Sequence, residues 1–68
     1  MNANLIEAIA ATIEAAGWNG LANDYRTRPE YRERIERAMV RNIREDRQLG
    51  PELADKLARL INAARRAA

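Results

Sequence analysis

Apolar residues recur at steps of three and four along most of the chain, and no segment alternates apolar with polar residues as a strand would. The first such stripe is Leu5, Ile6, Ile9, Ile13 and Ala16, with Glu7, Ala11 and Glu14 on the far side. It predicts a helix over about residues 3–16. Asn2 or Asn4 supplies a short side-chain acceptor for the first turn, and Glu7 suits the positive end. Gly17 is placed to take the left-handed conformation just past the last turn.

Residues 18–28 read as a connection. Asn19-Gly20 is a turn signal, and Leu21 to Tyr25 predict at most a short extra helical turn at residues 19–25. Trp18, Leu21 and Tyr25 are expected to cover one end of the core; a ligand-stacking role for Trp18 is the lesser expectation. The second long helix is predicted over 29–49. Pro29 fits its first turn, and Thr27 followed by Glu30 has the spacing of a capping box. Its apolar side carries Tyr31, Ile35, Ala38, Met39 and Ile43. Gly50-Pro51 stops it. A third helix over 51–66 shows the stripe Leu53, Leu57, Leu60, Ile61 and Ala64, with Arg65 and Arg66 favourable at its negative end. The pattern predicts an all-α fold: a small three-helix bundle forming a single helical domain over 1–68.

Composition narrows the chemistry. The chain has 68 residues and neither cysteine nor histidine, and the sequence contains no serine. Nucleophilic triads and zinc sites with nitrogen or sulfur ligands therefore lack their parts. The three glycines have no phosphate-loop spacing. No catalytic residue, metal ligand, cofactor or small-molecule substrate is expected. The longest uncharged run near the start, Ala8 to Ile13, is far too short to span a bilayer and no basic segment precedes it, so a cytoplasmic location without membrane attachment is expected. Much of the apolar content is alanine. A core that thin makes a homo-oligomer an expectation, since small scaffolds gain burial from a second copy.

Charge is distributed unevenly. Net charge is −3 over residues 1–24, +3 over 25–50 and +2 over 51–68. Eleven of the twelve basic residues are arginine, eight of them between Tyr25 and Gly50. Arg34, Arg37, Arg41 and Arg44 fall on one side of the second long helix, opposite its apolar stripe, with Arg47 and Arg28 near its ends. Such a row is either a solvated face or a docking face for something acidic. Glu30–Arg34 and Glu33–Arg37 have favourable i,i+4 order, and Glu36 lies four residues after Arg32. These interleaved carboxylates repel a polyanion and favour a protein partner.

Two smaller features remain. Asn42 and Asp46 fall on the apolar side, so they form either a polar core network or a wet helix end that outruns the core. Val40 lies on the charged side and, with Ala8, Ala11 and Ala15, is a candidate dimer contact. A helix-turn-helix reading of Ile43 to Ile61 fails, because Lys56 and Arg59 occupy positions that must be apolar. The expected function is a non-enzymatic protein-binding module of regulator, inhibitor or adaptor type, binding a protein partner or itself. Its candidate contacts are Arg34, Arg37, Arg41, Arg44 and Arg47. The alternative is a nucleic-acid-binding protein that uses the arginine-rich face of the second and third helices.

Overall fold

The computed structural model describes residues 3–45 and 50–67, with side chains for 3–41 and 50–66. The predicted Asp46 and Arg47 lie outside the described residues, as do the side chains of Asn42 and Arg44. The described chain is all-α: α1 is Ala3–Ala15, α2 Asn19–Thr27, a 3₁₀ turn spans Pro29–Tyr31, α3 is Arg32–Glu45 and α4 Pro51–Ala67. Among the described residues no helix is long and apolar enough to cross a membrane.

The end of α1 is set by Gly17. Its φ of +96° is left-handed. In that conformation its own N–H reaches the Glu14 carbonyl at 2.9 Å and the Trp18 N–H reaches back to Ile13 at 3.3 Å. This pair of bonds is the Schellman closure, which satisfies carbonyls the helix leaves open. An added Cβ at Gly17 meets no atom within 4 Å, so only the backbone conformation resists substitution. Gly17→Ala is expected to cost about 1 kcal/mol, read as a lower denaturation midpoint, with Gly17→Asn costing less.

The connection after Gly17 differs from the reading of the sequence. Asn19-Gly20 is the first turn of a nine-residue helix, not a chain reversal. The reversal is completed before it, at Gly17, and the Ala22 N–H already bonds the Trp18 carbonyl at 3.0 Å. The extra turn expected at 19–25 is thus a full fourth helix. The capping box at Thr27 is also corrected. Thr27 closes α2, its hydroxyl donates to the Asn23 carbonyl at 2.9 Å, and Arg28 takes the cap position without a side-chain bond. The helix expected from 29 begins as the 3₁₀ turn, with Pro29 in the position where a missing N–H does no harm.

The helices form a closed ring. α1 packs on α2, α2 on α3, α3 on α4 and α4 on α1, while α1 and α3 stand across from each other. The core fills the centre: Ile9, Ala10 and Ile13 from α1, Ala22 and Tyr25 from α2, Ile35 and Met39 from α3, Leu57, Ile61 and Ala64 from α4. Because α1 touches two neighbours, its buried face is wider than the predicted stripe and takes in Ala10 and Thr12. Thr12 meets the need for a partner by donating to the Ala8 carbonyl at 2.7 Å.

On α3 the buried face is rotated from the predicted one. Ala38 is exposed, whereas Glu36 is buried and Val40 half-buried against the core. The ring explains this, since α3 must face both α2 and α4. Val40 therefore packs partly against the core and does not stand fully on the charged outer side. Of the alanines grouped with it, Ala8 is half-buried and Ala11 and Ala15 are exposed.

Candidate binding surface

The outer side of α3 is the largest cluster of cations predicted from the sequence. Arg34, Arg37 and Arg41 are all exposed there, in line along the helix. Their spacing at three and four residues is what aligns them, and burial of Ile35 and Met39 on the other side is what turns them outward.

Two of these guanidinium groups are held by neighbours. Arg37 Nη2 donates to Glu33 Oε1 at 2.7 Å, the predicted i,i+4 pair. Both side chains are more than 70% exposed, at 73% and 77%, so water screens this pair and it adds little to stability. Arg34 takes a different partner from the predicted Glu30. Its guanidinium carbon lies 5.9 Å from the centre of the Tyr31 ring. Arg28 sits 5.6 Å from the same ring and also pairs with Asp24 at 3.7 Å. Tyr31 thus has two guanidinium groups within about 6 Å of its ring centre, a proximity the ring quadrupole favours. Glu30, Glu33, Arg34 and Arg37 line a shallow, open depression on this side. A second one, on α4, is lined by Glu52, Asp55, Lys56, Arg59 and Leu60, with Arg59 paired to Asp55 at 2.6 Å.

Three charged residues that the sequence reading left out of the candidate surface are the ones built into the fold. Arg26 reaches from α2 across to α1, where Nε and Nη2 donate to the two Glu7 oxygens at 3.0 and 2.9 Å and Nη1 donates to Glu14 at 3.0 Å. Glu7 and Glu14 are two helical turns apart, so one planar fork spans both. The Arg26 hydrogen bond holds the Glu7 carboxyl below the ordinary glutamate range, and Glu7 and Glu14 hold Arg26 charged.

Arg32 is half-buried and bends back over α2. Its Nε donates to the Tyr25 carbonyl at 2.7 Å and its Nη2 to the Arg26 carbonyl at 3.0 Å. These are open carbonyls of the last turn of α2. The same guanidinium lies 5.7 Å from the Tyr25 ring. Tyr25 itself is fully buried, and burial, with Glu36 adding to it, pushes its phenol up to about 12. Glu36 is the third. It is buried on the inner side of α3, and that burial raises its carboxyl pKa against the opposing pull of Arg65 and Arg32.

A sequence signal for these residues did exist. Glu7 and Glu14 repeat at seven beside the α2 side of α1. Glu36 shares its helix side with Met39 and Val40. Among the described residues no group of three acidic side chains is placed to hold a metal ion. In comparisons with known proteins, no family, no curated protein and no solved structure matches the chain.

Proposed function

We propose that this protein is a non-enzymatic binding module that presents the outer side of α3 to an acidic protein surface. The observation that carries the reading is the exposed row of Arg34, Arg37 and Arg41 on a helix anchored from behind by Ile35 and Met39. Tyr31 and Glu33 restrict two of the three guanidinium groups before any partner arrives, which lowers the ordering cost of binding. Glu30 and Glu33 in the same depression oppose a uniform polyanion and suit a protein surface of mixed charge. In the sequence, Arg44 and Arg47 follow Arg41 at steps of three and belong to the same proposed contact set. A second copy of the chain is one partner with such a surface, and nucleic acid is the rival ligand.

The double substitution Arg37→Glu and Arg41→Glu tests this. Solution light scattering sets whether the wild type exceeds its 7.7 kDa monomer mass, and a photo-crosslinker at exposed Ala38 reports what sits on α3. The expected result is a protein cross-link from Ala38 that weakens at least about tenfold in the double variant, as two lost charge contacts imply. A double variant that keeps the same cross-link defeats the reading. Duplex or single-stranded DNA binding that falls steeply with salt transfers the surface to the rival ligand.

A further inference from the structure

Glu36 is 7% exposed, and among the described residues no hydrogen bond or ion pair reaches its carboxylate. The obvious partner is spent elsewhere. Arg32, one turn earlier, turns its guanidinium onto the end of α2, where it bonds the Tyr25 and Arg26 carbonyls. Every element packed on this part of α3 adds to the field at Glu36. Arg65 on α4 and Arg32 on α3 favour its charged form, Glu33 on α3 opposes it, and Glu36 acts in turn on the Tyr25 phenol of α2. The 3₁₀ turn brings exposed Glu30 and half-buried Tyr31. A carboxylate in this setting lacks donors, and an ionised carboxylate without donors is destabilised by the apolar groups around it. Yet among the described residues no side-chain oxygen is both sealed from water and unpaired, so the Glu36 oxygens keep a thin contact with solvent. A proton can reach them.

We propose that Glu36 makes the junction of α2, α3 and α4 proton-responsive: ionised, the side chain strains the packing there, and protonated, it lets the three helices close more firmly. Protonation converts the carboxylate to a neutral acid, for which burial costs far less.

The direction follows from linkage. A carboxyl whose pKa is raised on folding contributes stability that is complete below its unfolded value, 4.5, and is lost as pH rises through the folded value. Glu7 acts with the opposite sign. Its carboxyl is lowered on folding, so its contribution is present above 4.5 and is lost as pH falls through the lower folded value. The two effects therefore occupy different windows. Stability rises as pH falls from neutral toward 4.5 because of Glu36, then declines further down because of Glu7.

Glu36→Gln tests the proposal, since it keeps the shape and removes the charge. Denaturant titrations of the full chain are run at about pH 7 and about pH 5, where only raised carboxyls change state. The wild type is expected to be more stable at the lower pH. The variant is expected to show a folded-to-unfolded ratio about three- to tenfold above wild type at neutral pH and no gain on acidification. A variant less stable than wild type at neutral pH, or one with the same acid gain, overturns the proposal. The Glu36 carboxyl of the wild-type chain followed by carbon NMR decides the matter independently of how the variant folds. A midpoint above the ordinary glutamate value supports the proposal, and one at or below it defeats it.

Discussion

Leu57→Ala is expected to remove about 2–5 kcal/mol of folding stability, the range for truncating a sealed leucine whose cavity cannot collapse fully. Leu57 is 0% exposed and sits where α4 meets the rest of the core. A 68-residue domain holds roughly 3–10 kcal/mol in total. The substitution thus removes at least about a fifth of what keeps the chain folded, and brings the variant markedly closer to its unfolding transition. No disulfide offsets the loss, because the chain has no cysteine. Helical circular dichroism against temperature gives the answer. A midpoint that moves by only a degree or two means that α4 does not depend on Leu57 for its place in the ring.

Arg32→Ala is expected to be the most damaging charge removal, at about 1–2 kcal/mol. It removes the Arg32 donors from the Tyr25 and Arg26 carbonyls at the end of α2 and takes the cation from the Tyr25 ring. Arg37→Ala on the same helix should change stability by less than about 0.5 kcal/mol, since its pair with Glu33 is open to water. Arg32→Lys should recover little, because an ammonium cannot bridge two carbonyls as a planar fork does. Amide exchange localises the effect. The protons of α2 should lose protection first in Arg32→Ala, and equal loss around the whole ring argues against the capping role.

How much of this could be read from residues alone depends on what each residue's neighbours are. The stripe Leu57, Ile61 and Ala64 and the start of a helix at Pro51 are local periodicity and local backbone chemistry, and both appear in the fold as expected. Gly17 was legible for the same reason. α2 was legible only as a short turn at 19–25, since Asn19-Gly20 has the local preference of a turn and packing of Ala22 and Tyr25 into the ring extends it to a nine-residue helix. The burial of Glu36 and the exposure of Ala38 were hidden because periodicity gives the existence of a face but not its exact angle, which α2 and α4 set together. On the candidate surface, the outward turn of Arg34, Arg37 and Arg41 followed from spacing. The tasks of Arg26 and Arg32 did not, because their partners are carbonyls and carboxylates on another helix.

With α1 and α3 on opposite sides of the ring, charge is spread unevenly over the described residues. Arg26 leaves its cluster with Glu7 and Glu14 net negative by one, while Arg34, Arg37 and Arg41 outnumber Glu33 on the outer side of α3. In the field of an acidic target such a body rotates before it touches, so productive collisions come disproportionately from the α3 side. Added salt should then slow capture far more than it hastens release.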